Sequence, residues 1–134
     1  MHRELTVREI LDTYAFLRLP AAYTAAERDH VVSDVIDCLQ LTHVSDSTIG
    51  DEAKRGISGG QRKRVNVGME MVSDPSVLFL DEPTSGLDST TSYELVSALH
   101  AIARKGCNVI TVLHQPSFEL YQKFGKVSGW GAYC

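Results

Sequence analysis

The sequence has few cysteines, no long apolar run and no strong excess of one charge, and each of these absences excludes a class of protein. Its three cysteines, Cys38, Cys107 and Cys134, show no C-x-x-C spacing, so we expect neither a disulfide framework nor a zinc site, and a reducing, cytosolic environment fits best. No apolar stretch approaches the roughly 20 residues needed to span a bilayer, and the N-terminus has no apolar signal core, so a soluble chain is expected. The net charge of −4 gives no reason to expect a nucleic-acid partner. The one basic run, residues 62–64, is predicted to be a solvated first turn of a helix.

The first third of the chain is predicted to be helical. Thr6 with Glu9, and Thr24 with Glu27, each form the S/T-x-x-E pattern of a capping box, and apolar residues at helical spacing follow both. The polar stretch at residues 42–56 is interpreted as a loop. We expect the two helices to pack a core and to carry no chemistry.

A third helix start is predicted at Ser58, because Gln61 stands three residues further on. S-x-x-Q is a common helix start, so a purely structural cap explains this pair. It does not explain Gly59 and Gly60, since consecutive glycines cost conformational entropy unless something approaches the backbone closely. The exposed amides of a helix N-terminus are a good receptor for phosphate. Both interpretations stay open on these residues alone.

Two carboxylates follow a predicted strand. Residues 77–80 are a short apolar run bounded by turn formers, as expected of a strand buried on both faces of a parallel sheet. The run ends in Asp81 and Glu82. Open α/β sheets bind ligands at the carboxyl ends of their strands, where one carboxylate can hold Mg²⁺ and the next can polarise a water. A surface turn is the alternative explanation, but two charges directly after an apolar strand need a cation or water to solvate them.

A second strand brings a histidine to the same place. Residues 89–105 are predicted to form a helix that ends at Gly106, and residues 109–113 a second buried strand. Strand, helix and strand make a βαβ unit, which should be parallel and right-handed. His114 is therefore expected at the same sheet edge as Asp81 and Glu82. A histidine after a strand is usually structural, but this position makes it a candidate for contacting a phosphate.

One element that phosphate chemistry usually needs is missing from the sequence. No stretch matches G-x-x-x-x-G-K-[ST], whose backbone amides and lysine cradle phosphates. The nearest candidate, Gly125-Lys126, has Leu120 in place of the first glycine and Val127 in place of the hydroxyl residue. The main phosphate grip is therefore absent from these residues.

Four motifs in order carry a resemblance to a known family. They are the segments at residues 5–9, 55–64 and 81–89 and the His-Gln-Pro that begins at His114. They resemble the ATP-binding cassette domain of ABC transporters, and the context of residues 57 and 62–64 is similar to the G subfamily, the white/pigment-transporter type. The resemblance covers about residues 5–124.

The resemblance implies an α/β fold: a partial P-loop NTPase domain with a helical signature subdomain and a parallel βαβ core that lacks the Walker A strand. On this interpretation residues 1–124 are the partial ATP-binding domain. Residues 1–74 are its mainly helical signature part, and residues 75–124 run from Walker B to the switch histidine. Residues 125–134 are an atypical glycine-rich tail.

The resemblance also implies roles for individual residues. Asp81 helps to hold Mg²⁺, Glu82 is the general base that orients the attacking water, and His114 reaches the γ-phosphate. Asp88 lies at the seam between two cassette domains. Four residues contact the γ-phosphate of an ATP seated on the partner domain: Ser58, Gly59, Gly60 and Gln61.

ATP and Mg²⁺ are thus the implied cofactors, and a second cassette domain and the transmembrane domain of a parent transporter are the implied partners. The parent would hold the chain at the cytosolic face of a membrane and couple hydrolysis to export. Because the family's phosphate and glutamine loops lie upstream of the matched residues, the chain alone is expected neither to bind ATP tightly nor to hydrolyse it. The alternative is an inactive module that docks on an intact cassette and contacts its ATP through residues 58–61. A cassette ATPase outside transport is a third interpretation, disfavoured by the G-type context.

Overall fold

The computed structural model describes residues 4–50 and 56–126. The predicted tail from residue 127 onward and the first residue of the 55–64 motif lie outside these ranges. The two strands are β1 (Val77–Asp81) and β2 (Asn108–Val112). The helices are α1 (Val7–Arg18), α2 (Ala25–Cys38), α3 (Gly59–Met71), α4 (Ser89–Arg104) and the short α5 (Phe118–Tyr121), and one 3₁₀ turn spans Thr42–Val44.

The first three helices begin with the capping boxes that the sequence predicts. In α1 the Thr6 hydroxyl accepts from the amide of Glu9, while the Glu9 carboxylate accepts from the amide of Thr6 at 2.8 Å. The same reciprocal pair starts α2, and Ser58 with Gln61 starts α3. Each box satisfies two amides that have no partner inside the helix.

The core lies where α1, α2, α3 and α4 pack together. The buried face of α1 presents Ile10 and Leu11 to it. Gly68 allows α3 to approach closely, because a Cβ atom there would stand 3.0 Å from Leu39 and 3.1 Å from Leu11. The helical part and the strands share this core, since Leu78 of β1 belongs to the same buried cluster.

The two strands pair in parallel, as predicted, with Val77 opposite Asn108 and Asp81 opposite Val112. The expectation that both faces of these strands are buried is wrong. Leu78 is 5 % exposed, whereas Phe79 is 73 % and Ile110 50 % exposed. In the described residues α4 packs on one face only, so alternate side chains of both strands lie at the surface.

The prediction of a solvated basic turn is wrong at Arg64, whereas Arg62 and Lys63 are half-buried. Arg64 is 5 % exposed, and its Nη2 donates to Glu94 Oε2 at 3.0 Å while Nη1 donates to the carbonyl of Leu39 at 3.4 Å. Because α3 packs against α4, this side chain lies between the helices instead of in water. The guanidinium group thereby joins α3 to α4.

Two cysteines lie in the described residues, and both are free thiols. Cys38 and Cys107 line one cavity of about 410 Å³ between the helical part and the start of β2. Burial raises the pKa of each thiol.

Across residues 4–50 and 56–126, no helix combines the length and the apolar character needed to cross a bilayer.

Candidate functional site

Glu82 and His114 line one open cleft of about 560 Å³ at the carboxyl ends of the two strands. The Glu82 amide donates to the carbonyl of Val112 at 2.9 Å, which continues the ladder one step beyond β1. The parallel connection therefore brings the two residues to the same sheet edge. Their neighbours in the cleft wall include Ser85 and Gln115.

The backbone is strained on both sides of this cleft. Glu82 has φ of +43° and Gln115 has φ of +47°, a left-handed conformation that residues other than glycine rarely adopt. Each such residue costs about 1–3 kcal/mol and persists only where surrounding contacts enforce it. At Glu82 two backbone hydrogen bonds enforce this conformation. Its amide donates to the carbonyl of Val112, and its carbonyl accepts from the amide of Ser85 at 3.0 Å. Such strain clusters at functional sites, and it adds Gln115 as a site candidate to which sequence analysis assigned no role.

Asp81 does not line this cleft. It is exposed, it ends β1, and it shares the open face of the sheet with Val77 and Phe79. The described part of the chain holds no cluster of three His, Cys, Asp or Glu residues suited to a metal ion. Mg²⁺ is usually bound by one or two carboxylates together with phosphate oxygens. A single exposed carboxylate therefore fits Mg²⁺ that arrives with a phosphate, and does not form a metal site by itself.

The start of α3 offers backbone donors. The capping box uses the amides of Ser58 and Gln61, and the amides of Gly59 and Gly60 are the other two at this helix end. The positive end of the helix dipole favours an anion there. The arrangement can serve as a phosphate receptor, which is one of the two interpretations left open by the sequence.

The two glycines differ in what surrounds them. A Cβ atom on Gly60 would stand 1.9 Å from Cγ2 of Thr91, whereas the nearest atom to a Cβ on Gly59 is Cδ2 of Leu87 at 3.9 Å. The close approach expected for this pair is thus made at Gly60 by the chain's own α4. The position of a Cβ atom on Gly59 is open, so a ligand can approach the Cα side at Gly59 but not at Gly60.

Asp88 caps α4 beside this helix start. Its carboxylate accepts from the amide of Thr91 at 3.2 Å and from the Thr91 hydroxyl at 2.5 Å. These bonds, the hydroxyl first, lower the pKa of Asp88 below its ordinary value of 3.8. Thr91 therefore contacts both the cap of α4 and Gly60 of α3.

The predicted site residues that line a cavity fall into two separate sets. Ser58 and Gln61 line a second cavity of about 380 Å³, together with His43 and residues of α3 and α4. Glu82 and His114 line the first cleft, and the walls of the two cavities have no residue in common. His43 is a neighbour that sequence analysis missed, because no local motif joins the loop that carries it to α3.

A family model described as ABC transporter matches residues 1–85, well over half of the chain. The chain belongs to the ABC transporter family. It is 55 % identical over 124 residues to ABC transporter G family member 28 of Arabidopsis thaliana. It is 44 % identical, also over 124 residues, to the broad substrate specificity ATP-binding cassette transporter ABCG2 of Rattus norvegicus. The predicted resemblance to the G subfamily is confirmed.

These matches cover 92 % of this chain but only 11 % of the Arabidopsis protein and 19 % of the rat protein. The chain therefore spans a small part of the length of the curated relatives it matches. Among solved structures it is similar to the ADP conformation of MJ1267, an ATP-binding cassette of an ABC transporter, with a TM-score of 0.67 and 23 % identity. That match covers 84 % of this chain and 46 % of the cassette. The predicted partial ABC ATPase fold is confirmed.

Proposed function

We propose that these residues are part of the cassette that binds and hydrolyses ATP in a G-type ABC transporter, whose hydrolysis drives export of a substrate across a membrane. The observation that carries the proposal is that Glu82 and His114 line the same cleft at the carboxyl ends of parallel strands. The strained backbone at Glu82 supports it, as do the relatives' names. Residues 1–124 are the part of the chain that belongs to this cassette.

Within the cleft Glu82 acts as the general base. Its carboxylate orients the attacking water and accepts its proton, and the His114 imidazole donates to an oxygen of the γ-phosphate. Asp81, at the same sheet edge but outside the cleft wall, would help to hold Mg²⁺. When bound, that ion neutralises charge on the β- and γ-phosphate oxygens.

The start of α3 acts on a different ATP. The Ser58 hydroxyl, the adjacent amides of Gly59 and Gly60, and Gln61 contact the γ-phosphate of an ATP held by a second cassette domain. The separation of the two cavities supports this assignment, because one chain does not bring both sets of residues to one ligand. Asp88 lies at the seam between the two domains, and the transmembrane domain of the parent protein is the other partner.

A second function is a docking module that is inactive by itself. The observation in its favour is that residues 58–61 form a complete capped helix start, while the sequence supplies no G-x-x-x-x-G-K-[ST] loop. Such a module binds an intact cassette and offers this helix start to its ATP. If the chain is such a module, adding the 134-residue chain to an intact G-type cassette should change the ATPase rate of that cassette. The Ser58→Arg variant of the chain should have no such effect.

Substitution of Glu82 tests the main proposal. In a longer protein that joins these residues to a phosphate loop, Glu82→Gln should lower ATP hydrolysis by about 10²- to 10⁴-fold, the usual contribution of a general base. Glu119→Gln, an exposed carboxylate on α5 outside the cleft, is the matched control and should leave the rate unchanged. Hydrolysis that persists at the normal rate in Glu82→Gln refutes the assignment.

A further inference from the structure

The side chain of Gln61 is held from two sides. Its Oε1 accepts from the amide of Ser58 at 2.8 Å, and its Nε2 lies 3.1 Å from Nε2 of His43. His43 belongs to the 3₁₀ turn at Thr42–Val44, in the loop that precedes α3. This contact therefore joins that loop to the helix start assigned to the phosphate.

The chemistry of the two groups determines which one donates. Because Oε1 of Gln61 is engaged by the amide of Ser58, the NH₂ group of Gln61 faces His43 as a donor. The Nε2 atom of His43 must then accept, which requires a neutral ring with its hydrogen on Nδ1. The capping box thus selects one tautomer of His43.

A protonated ring is incompatible with this arrangement. Protonation places a hydrogen on Nε2 of His43, so that two donors face each other across 3.1 Å. Rotating the Gln61 amide by half a turn does not resolve the conflict, because its NH₂ group would then face the N–H of Ser58. Neutral His43 and an intact capping box therefore depend on each other.

The charged side chains in the wall of this cavity already have partners. Arg64 from α3 and Glu94 from α4 line it together with His43, and they pair with each other at 3.0 Å. Thr42 precedes His43 in the 3₁₀ turn, and its hydroxyl donates a hydrogen bond to Oδ1 of Asp37 at 2.8 Å. Among the described residues, the hydrogen-bond partner of the His43 imidazole is Gln61.

We propose that His43 is a positioning residue for Gln61, and that the neutral imidazole keeps the start of α3 in the geometry that presents the amides of Gly59 and Gly60. The proposal rests on the function proposed above for that helix start. Loss of the acceptor on His43, by protonation or by substitution, loosens the cap and weakens the presentation of these amides.

Nuclear magnetic resonance of the full 134-residue chain tests the proposal without nucleotide. Nitrogen-15 spectra of the imidazole should show the hydrogen on Nδ1 of His43. The amide signal of Ser58 should shift when the His43 ring takes up a proton as the pH is lowered. His43→Phe, which removes the acceptor, should raise hydrogen exchange at Ser58 and Gln61 by about 2- to 10-fold.

Two further variants serve as controls. His43→Gln keeps an acceptor that does not titrate, so it should preserve the slow exchange and remove the pH dependence of the Ser58 signal. His100→Gln, which removes an exposed histidine of α4, should leave that pH dependence in place. A hydrogen on Nε2 of His43, or a Ser58 signal indifferent to pH and to His43→Phe, overturns the assignment. If these signals behave as stated but Ser58→Arg leaves ATP hydrolysis unaffected in the longer protein, the proposed function fails and the role of His43 in the cap stands.

Discussion

Replacing Gly60 with alanine inserts a methyl group into the contact between the starts of α3 and α4. The added Cβ would stand 1.9 Å from Cγ2 of Thr91, whereas ordinary van der Waals contact begins at 3.4 Å. Thr91 cannot turn away freely, because it is β-branched and its hydroxyl is bonded to Asp88. Either the helices separate or that hydrogen bond breaks.

Overpacking of this kind costs about 1–3 kcal/mol of the free energy of unfolding. Alanine also has the better helix propensity, which offsets up to about 1 kcal/mol of that loss. Gly59→Ala measures this gain alone, since its Cβ would meet only Leu87 at 3.9 Å. We therefore expect Gly60→Ala to be less stable than Gly59→Ala by about 1–3 kcal/mol.

Urea unfolding followed by circular dichroism measures this difference. Thr91→Ser removes the clashing methyl but keeps the hydroxyl, and the next atom, Cβ of residue 91, would lie 3.4 Å away. In a double-mutant cycle Thr91→Ser should recover most of the loss caused by Gly60→Ala. Equal stability of the two alanine variants, or no coupling to residue 91, would refute the packing argument.

Three other predictions concern the sheet, the buried arginine and the cap of α4. Leu78→Ala should destabilise the chain by about 2–5 kcal/mol because the side chain is buried. Phe79→Ala should instead change stability little and reduce self-association in sedimentation, because its exposed ring adds to an open apolar face. Glu94→Gln should cost about 1–2 kcal/mol in urea unfolding, since it removes the charge that faces the buried guanidinium of Arg64; no loss would contradict the pairing. The lowered pKa of Asp88 means that its cap stabilises the fold fully above pH 3.8 and loses this effect as the pH falls through the folded-state pKa. Acid unfolding of Asp88→Asn should therefore lack that component, and identical pH profiles would contradict it.

Local patterns predicted the helix starts and the order of the strands. Capping boxes involve residues three apart, so the pairs at Thr6, Thr24 and Ser58 can be identified without knowing the rest of the fold. The parallel pairing of β1 with β2 follows from the long helical connection between them. The position of His114 beside Glu82 follows from the same rule.

Contacts between distant segments could not be predicted in this way. An apolar run shows that a strand is suited to burial, but not which element covers it, so the exposure of Phe79 was missed. The burial of Arg64 depends on Glu94 in the next helix, and the contact of Gln61 with His43 depends on a loop. The packing of Gly60 against Thr91 is likewise a contact between two helices, which no spacing within either helix reveals.

The affinity of the chain for Mg-ATP tests the central claim most directly. Calorimetry compares the 134-residue chain with a longer protein in which the same residues follow a G-x-x-x-x-G-K-[ST] loop. We expect binding in the longer protein and none by the chain alone, because the loop lysine and amides hold the phosphates. Tight binding of Mg-ATP by the 134 residues alone would contradict this account and would require a phosphate site outside the residues assigned here.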